Sequence, residues 1–442
     1  MVIEAASPEL ERKSFGLRKW PLALASAAVV FAAIIVAFLV MRPERYQVIQ
    51  TFAATGRGAK TPMGLAADKA GNVYGSAWTG GPGSWGAIFE LTPPSLFGSN
   101  WEMQVLSNVK NGPIGTGPFW SAVAQNGDLY GATTGGGVQG GGTVYKFQPA
   151  EHGWGEPTPL FHFVAHRSPI DTVSELISDS SGSLYGTTQG AGGTDAGTVF
   201  KLSPGPDGWT MTLLHRFRNG EDDGAYPVGG LTMDGAGTLY GATSGGGKDG
   251  IGTVFKLTPT DHGWEETLIH TFRQLDGSQG KGGALPMAGL TLGNDGTLYG
   301  TAGGGGNFGA GVVFSLTPSD HNGWSYRVLY HFKQQEVGEG SAPNSRLIFG
   351  KSGALYGTTK FGGDAPGYGG LGTVFKLIPT ETDWREVVLH SFMGGADGSQ
   401  PSGTLIRDRS GNLFGTTLGG ARSGVYIDGT VFEIAAGGMF GR

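Results

Sequence analysis

One short string, an aliphatic residue followed by an aromatic residue and glycine, occurs seven times along this chain of 442 residues. Its aromatic residue recurs every 55 to 59 residues. The seven copies are Val73-Tyr74-Gly75, Leu129-Tyr130-Gly131, Leu184-Tyr185-Gly186, Leu239-Tyr240-Gly241, Leu298-Tyr299-Gly300, Leu355-Tyr356-Gly357 and Leu413-Phe414-Gly415. A fixed period indicates a repeat architecture, in which each unit buries its apolar surface against its neighbours. This period is too long for one coil of a solenoid.

Each repeat contains four short strand-like runs separated by turn residues. They are typified by Leu231 to Asp234, by the Leu-Tyr-Gly string, by Gly252 to Leu257 and by Trp209 to Phe217. Asp-Gly, Gly-Gly-Gly and Thr-Pro sequences lie between the runs and favour turns. Four short antiparallel strands make one propeller blade. The sequence therefore predicts an all-β, seven-bladed β-propeller over residues 46–435.

The last repeat is incomplete. It supplies Leu405–Asp408, Leu413–Thr417 and Gly429–Ile434, but no fourth run follows. Residues Tyr46 to Phe52 have the pattern of the missing strand. We therefore expect the N-terminal strand to complete the last blade, which removes an open sheet edge.

Composition narrows the possible functions. The 84 glycines recur at fixed places in the repeat, as turn residues do, so they do not indicate disorder. The chain has no cysteine, which excludes disulfides and thiolate chemistry. Charged residues make up 15% and the net charge is −6, without a basic cluster in the repeats, so no nucleic-acid partner is expected.

An uncharged, largely apolar segment precedes the repeats at residues 20–41. As a helix it would span about 33 Å, enough for a bilayer core of about 30 Å. The alternative is a cleaved signal peptide, whose apolar region is usually shorter and ends in a small-x-small site. We predict one transmembrane helix as an uncleaved anchor. Flanking Lys and Arg residues favour a cytoplasmic segment 1–19 and an extracytoplasmic propeller, followed by a C-terminal tail at 436–442.

The repeat is typified by the run from Gly394 to Pro401, followed by Asp408 to Thr417. It resembles the GloVer (Gloeo/Verruco) tandem repeat, and the resemblance extends over about residues 46–435. It implies a protein that carries a membrane or surface anchor. It implies no activity, so no catalytic residue is transferred. The Asp-x-x-Gly spacing also departs from the Asp-x-Gly of the sialidase Asp-box.

Two repeated polar positions are interpreted as structural. An aspartate precedes a glycine by three residues in four repeats, at Asp68, Asp179, Asp234 and Asp408. This spacing is typical of a type I turn, and it explains the aspartates without a metal or an acid–base role. Histidines lie in the fourth run at His162, His215, His270, His331 and His390. The fourth strand should be outermost, so these histidines cannot converge on one ion.

Aromatic residues that break the repeat are candidates for ligand binding. Trp78 and Trp85 occur in the first repeat, and Phe119 and Trp120 lie at the start of the second. Loops from both places should emerge on one face of the ring, where the four rings could form a platform for sugar rings. The alternative is that they only pack the loops.

Acidic loops are expected on the same face. Asp222, Asp223 and Asp364 supply carboxylate oxygens that suit calcium, although solvated loops without an ion are the alternative. The same three residues are the candidate carboxylates for catalysis.

Three functions remain open. The first is a membrane-anchored binding or scaffolding module of the cell envelope, with a glycan or protein ligand. The second is a polysaccharide hydrolase or lyase. The third is a purely structural envelope protein. A convergent catalytic set is not recognisable in the sequence, so the binding module is favoured over the enzyme.

Overall fold

Each repeat folds into one antiparallel sheet, and seven such sheets form a β-propeller. A computed structural model describes residues 45–436 except 53–58, 96–99, 111, 126, 152, 165–173, 191–195, 274–280, 321–322, 334–337, 367–368 and 420–427. For residues 120–125 the backbone is described but the side chains are not. The predicted anchor at 20–41 lies outside these residues. Within them, no helix combines the length and the apolar character that crossing a bilayer requires.

The strands are numbered in chain order and grouped by blade. The first blade contains β2 (Ala59–Ala67), β3 (Val73–Gly80), β4 (Ala87–Thr92) and β5 (Glu102–Asn108). The second contains β6 (Thr116–Gln125), β7 (Asp128–Gly135), β8 (Gly140–Phe147) and β11 (Thr158–Val164). The third contains β12 (Ile177–Ser178), β13 (Leu184–Thr188), β14 (Thr198–Gly205) and β15 (Gly208–Arg216).

The fourth blade contains β17 (Thr232–Met233), β18 (Leu239–Thr243), β20 (Thr253–Thr260) and β21 (Gly263–Thr271). The fifth contains β22 (Thr291–Leu292), β23 (Leu298–Ala302), β24 (Val312–Ser319) and β25 (Gly323–His331). In the sixth, the first strand is divided into β26 (Gly340–Pro343) and β27 (Ile348–Phe349), followed by β28 (Leu355–Gly362), β29 (Thr373–Pro379) and β30 (Trp384–Ser391).

The seventh blade contains β31 (Ser399–Arg407), β32 (Leu413–Gly419), β33 (Thr430–Ala435) and β1 (Arg45–Thr51). Two short ribbons lie outside this scheme, β9 (Pro149–Ala150) with β10 (Gly153–Trp154), and β16 (Gly224–Ala225) with β19 (Gly245–Gly246). Short 3-10 turns occur at Lys351–Gly353 and Gly395–Asp397.

The N-terminal strand closes the ring. β1 pairs antiparallel with β33, from Arg45 opposite Ala435 to Thr51 opposite Thr430. Phe52, which follows β1, then packs against Phe89 of the first blade with 5.2 Å between ring centroids. The predicted completion of the last blade by this strand is confirmed.

The glycine of the Leu-Tyr-Gly string is required by packing. Gly241 on β18 lies directly opposite Phe255 on β20. A Cβ atom on Gly241 would lie 2.4 Å from the Phe255 ring, far inside van der Waals contact. The same close approach occurs in every blade, for Gly75 with Phe89, Gly131 with Tyr145, Gly186 with Phe200, Gly241 with Phe255, Gly300 with Phe314, Gly357 with Phe375 and Gly415 with Phe432. The string therefore repeats because each blade packs a ring over this glycine.

The repeated aspartate has the structural role that its spacing predicts. Asp234 Oδ1 accepts the amide hydrogens of Ala236 and Thr238, at 2.9 Å each. Its Oδ2 accepts the hydroxyl hydrogen of Tyr240, the aromatic residue of the repeated string, at 3.0 Å. Asp179 is bound in the same way by Ser181, Ser183 and Tyr185. The aspartate thus joins the turn to the second strand.

Aromatic contacts repeat between neighbouring blades. A tryptophan at or before the start of a fourth strand lies against the string aromatic of the preceding blade, with ring centroids 5.4 to 6.3 Å apart. The pairs are Tyr74 with Trp154, Tyr130 with Trp209, Tyr185 with Trp264, Tyr240 with Trp324, and Phe414 with Trp101. These tryptophans therefore join neighbouring blades.

The five histidines divide into two groups by register. His215, His270 and His390 each lie opposite the valine of the Gly-Thr-Val-Phe strand. In the second and fifth blades that position is held by Phe161 and Tyr330, so His162 and His331 are one residue further along the strand. Because side chains alternate along a strand, the latter two point to the opposite sheet face.

Candidate functional site

The first strands of the blades and the segments leading into them surround a central cavity of about 590 Å³. All seven blades contribute to its lining. The ends of the second strands add residues such as Trp78 and Leu418, so the cavity opens towards the loops between strands two and three. This is the face on which the sequence places its candidate ligand site.

One wall of the cavity is apolar. Trp78 and Phe119 lie edge to face, with 6.4 Å between ring centroids, and Met63 and Met287 extend the surface. The Trp78 side chain is 44% exposed and its Nε1–H donates to Thr134 Oγ1 at 3.4 Å. The structure therefore brings together two of the four aromatic residues predicted for ligand binding.

The other two predicted aromatics do not contribute described side chains to this wall. Trp85 is 41% exposed but is not part of the cavity lining. Its backbone carbonyl accepts the amide hydrogen of Gly117 at 2.8 Å, which joins the first and second blades. Trp120 lies in β6, and its side chain is outside the described atoms.

Polar atoms without partners line the rest of the cavity. Asn344 Oδ1, Ser402 Oγ and Asp428 Oδ2 are buried, and no described residue forms a hydrogen bond to them. Asp428 is only 7% exposed. A buried polar atom without a hydrogen bond costs about 1–3 kcal/mol. Three such atoms belong to side chains that line one cavity, where water or a ligand could satisfy them after a small side-chain rotation.

Asp428 breaks the repeat. It directly precedes Gly429, the glycine at the start of the third strand-like run, and this position is apolar or glycine in the other six repeats. Those residues are Trp85, Gly141, Ala196, Ile251, Ala310 and Leu371. Sequence comparison of the repeats could have identified this carboxylate, because it is the one charged residue at that position.

An ion pair crosses the channel. Arg346 of the sixth blade and Glu175 of the third blade both line the cavity, with 3.2 Å between Nη2 and Oε2. Arg346 also donates through Nη1 to the carbonyl of Leu290 at 3.1 Å and through Nη2 to that of Leu231 at 3.0 Å. One side chain therefore connects blades three to six.

Two glycines make room for this arginine. A Cβ atom on Gly289 would lie 2.4 Å from Arg346 Nη2, and one on Gly230 would lie 2.8 Å from it. These glycines, Glu175 and Arg346 all directly precede the buried leucine of their repeat. The charged pair is thus a second break in the repeat, which the sequence analysis missed.

Backbone strain recurs where the chain enters five of the blades. Thr61, Tyr226, Leu285, Ala342 and Gln400 have φ between 52° and 57°, and each directly precedes a proline. A left-handed conformation costs a non-glycine residue about 1–2 kcal/mol. Amide hydrogen bonds to the preceding blade hold it, as from Leu285 to the carbonyl of Ile251 at 2.9 Å. Contacts between neighbouring blades therefore maintain this strain, and of the five residues Thr61 lines the cavity.

The three predicted acidic residues are placed differently from one another. Asp222 and Asp364 are exposed, and none of the three lines the cavity. Asp223 accepts hydrogen bonds from His215 at 3.2 Å and from the amide of Arg218 at 2.8 Å. Burial alone would raise the pKa of Asp223, but these hydrogen bonds lower it below its usual value.

Comparison with known proteins gives one family and a shared fold. The family model described as the Gloeobacter/Verrucomicrobia repeat matches residues 61–284 and again 275–440. No curated protein sequence matches the chain significantly.

Three solved structures are similar. A catalytically inactive virginiamycin B lyase from Staphylococcus aureus with quinupristin has 12% identity and a TM-score of 0.50, covering 89% of this chain and 100% of that one. A candidate 6-phosphogluconolactonase from Bacteroides uniformis has 16% identity and a TM-score of 0.47, covering 79% and 96%. A gluconolactonase from Xanthomonas campestris has 13% identity and a TM-score of 0.39, covering 72% and 95%. The first of these, at 12% identity and a TM-score of 0.50, shows a shared fold and nothing beyond the fold.

Proposed function

Since the chain belongs to the Gloeobacter/Verrucomicrobia repeat family and folds as a propeller, we propose that its central cavity binds a carbohydrate. The observation that carries this proposal is the meeting of an aromatic wall with unpartnered polar atoms in one cavity. The volume of about 590 Å³ lies within the range of small-molecule sites.

The polar atoms favour a ligand that is rich in hydroxyl groups. Asn344 Oδ1 and Asp428 Oδ2 can only accept hydrogen bonds, and Ser402 Oγ can accept or donate. Neighbouring hydroxyls of a sugar donate to acceptors in this way. The C–H face of the same sugar would lie against Trp78 and Phe119, because an aromatic ring presents an apolar, electron-rich face.

Binding is favoured over a hydrolase or lyase activity by the state of the two cavity carboxylates. Glycoside hydrolysis generally uses a pair of carboxyl groups. Glu175 is already paired with Arg346, which leaves Asp428 as the other carboxylate among the described residues of the lining. A protein ligand and a purely structural role are the remaining alternatives, and the experiment below separates them.

The experiment is a glycan-array screen of the full chain in detergent, followed by titration calorimetry with each hit. We expect Trp78→Ala and Asp428→Asn to weaken binding by about tenfold or more, which corresponds to about 1.4 kcal/mol. Trp85→Ala is the matched control, because this exposed tryptophan is outside the cavity lining, and it should retain affinity.

Equal loss in Trp85→Ala would place the ligand outside the cavity. Absence of any glycan ligand would reject the proposal, and cross-linking to capture a protein partner would follow. Cleavage of a bound glycan would favour the hydrolase or lyase.

We also propose that residues 20–41 anchor the chain in a membrane, with the propeller extracytoplasmic. The apolar length of that segment supports this proposal. Membrane fractionation of chains with and without residues 20–41, combined with protease access to the propeller in intact cells, tests it. Recovery of the full chain in the soluble fraction would reject it.

Calcium binding by the acidic loops that contain Asp222, Asp223 and Asp364 stays a prediction. The exposed positions of Asp222 and Asp364 leave their carboxylates accessible to an ion.

A further inference from the structure

Three side chains with metal-binding groups meet at the outer edge between the third and fourth blades. His215 lies on β15, Asp223 in the following loop, and Glu266 on β21 of the next blade. One ligand atom from each lies within 4.8 Å of the others. In the described part of the chain, no other set of three His, Asp or Glu residues is this close.

Two of the three side chains are held in place. His215 Nε2 lies 3.2 Å from Asp223 Oδ1, and the His215 ring packs edge to face on Phe217. The amides of Gly224 and Arg218 donate to Asp223 Oδ1 and Oδ2. These backbone contacts fix the carboxylate beside the imidazole, which is the preorganisation that a metal site needs.

The third side chain, Glu266, lacks a partner for one oxygen. Its Oε1 is buried, and no described residue forms a hydrogen bond to it. A buried carboxylate beside a second carboxylate is unfavourable unless a cation lies between them.

Other blade interfaces contain parts of this arrangement with a different third residue. Between the sixth and seventh blades, His390 is paired with Asp397 at 3.0 Å, but Tyr46 stacks on the imidazole with 3.4 Å between centroids. Between the fourth and fifth blades, Tyr326 stacks on His270. In these two interfaces an aromatic ring fills the place that the Glu266 carboxylate occupies, so a stacked ring replaces the third ligand.

A further interface has the glutamate without the histidine. Glu386 on β30 holds the same position as Glu266, two residues after the tryptophan that begins the fourth strand. It faces Tyr330, which donates its hydroxyl hydrogen to Glu386 Oε2 at 2.7 Å. Of these four interfaces, the one between the third and fourth blades alone combines histidine, aspartate and glutamate.

We propose that His215, Asp223 and Glu266 bind one divalent transition-metal ion between the third and fourth blades. One imidazole nitrogen with two carboxylate oxygens suits zinc or manganese, and solvent can complete the coordination. Calcium usually takes six to eight oxygen ligands and is disfavoured by the imidazole. The ion would join β15 to β21 and neutralise the two carboxylates.

The experiment uses the full chain in detergent, stripped of metal with a chelator and titrated with ZnCl₂ by calorimetry. Zinc bound per chain is counted by mass spectrometry. We expect one zinc ion per chain and at least a hundredfold loss of affinity in Glu266→Gln and His215→Asn. The matched control is Glu386→Gln, which alters a buried glutamate at the same repeat position and should leave zinc affinity unchanged.

A second variant keeps the test decisive if Glu266→Gln does not fold. Glu266→Tyr introduces a tyrosine at the position that Tyr326 holds in the interface between the fourth and fifth blades. There the tyrosine stacks on His270, so the blades can still pack in the variant. It should retain the fold and lose zinc. Unchanged zinc affinity in either folded variant, absence of zinc binding in the parent chain, or tighter binding of calcium than zinc would overturn the proposal.

Discussion

Arg346 of the sixth blade reaches Glu175 of the third blade, with 3.2 Å between Nη2 and Oε2. These blades are not neighbours in a ring of seven, so the pair passes across the central channel. The same arginine binds two backbone carbonyls, those of Leu231 and Leu290. The side chain therefore holds the inner ends of four blades at a fixed spacing and forms part of the cavity wall.

Removal of the arginine should destabilise the propeller. We expect Arg346→Met to lower the free energy of unfolding by about 2–4 kcal/mol, because Glu175 is left without its partner in a largely enclosed place. Urea unfolding followed by tryptophan fluorescence measures the change. The double variant Glu175→Gln, Arg346→Met should be more stable than Arg346→Met alone, since it also removes the unpaired carboxylate charge of Glu175.

The control for this prediction is Arg273→Met. Arg273 pairs with Asp249 at 3.4 Å, but its side chain is 49% exposed. Exposed ion pairs contribute about 0–1 kcal/mol, so this variant should unfold close to the parent chain. Equal destabilisation by both variants would contradict a special role for the channel pair.

The repeated glycine can be tested with a matched pair in one blade. Gly241→Ala forces a methyl group against the Phe255 ring and should cost about 1–3 kcal/mol of stability. Gly235→Ala adds a methyl group where nothing lies within 4 Å, and should change stability by less than about 0.5 kcal/mol. The midpoint of urea unfolding measures both. A neutral Gly241→Ala would show that the strands can separate without cost.

Closure of the ring should depend on Tyr46. Its ring stacks on His390 and packs against Phe392 and Phe432, and its hydroxyl donates to the carbonyl of Asp397 at 2.8 Å. We expect Tyr46→Ala to cost about 3–5 kcal/mol, as for other buried aromatic truncations, and Tyr46→Phe about 1 kcal/mol. Thermal unfolding measures both changes. Similar losses in the two variants would mean that the hydroxyl, and not the ring, holds β1.

Glu386 should make stability depend on pH. Burial raises its pKa to about 7 from the usual value of 4.5, with Glu339 adding to the rise and the hydroxyl of Tyr330 and Lys333 opposing it. Between these values the folded chain holds the proton and the unfolded chain does not, so the free energy of unfolding falls as pH rises through this window. In Glu386→Gln the fall between pH 5 and pH 8 should be smaller, by on the order of 2 kcal/mol.

Urea unfolding at several pH values measures this difference. Glu265→Gln is the control, since the Glu265 side chain is exposed on β21. It should reproduce the pH dependence of the parent chain. If Glu386→Gln does so as well, the carboxyl group is ionised in the folded chain throughout the window.

The fold was predictable because the same packing contacts recur in every repeat. Gly241 and Phe255 recur as a pair, Asp234 recurs with its turn, and Tyr46 to Phe52 replaces the one absent strand. Each contact is local or involves the next blade. Seven copies therefore fix the architecture even though the chain lengths between strands vary.

The site was only partly predictable because its residues are departures from the repeat. Trp78 and Phe119 are large enough to notice as extra aromatics. Glu175, Arg346 and Asp428 are single substitutions at positions where glycine or an apolar residue is usual, in repeats far apart in the chain. Their convergence follows from the ring, so spacing along the sequence does not reveal it. Alignment of the seven repeats, position by position, is the signal that would have found them.

The pairing of β1 with β33 also constrains the order of folding. Arg45 and Ala435 are partners, although nearly the whole propeller separates them along the chain. During synthesis the first strand to emerge must wait for the last, while the first six blades can form from contiguous segments. Bringing such distant segments together is entropically slow, so closure of the seventh blade is expected to be the late step of folding. Until then the edge of β33 that β1 covers is unpaired. A β1 strand from a second chain could pair with this edge. Exchange of β1 between newly made chains is therefore the characteristic misfolding hazard of this ring.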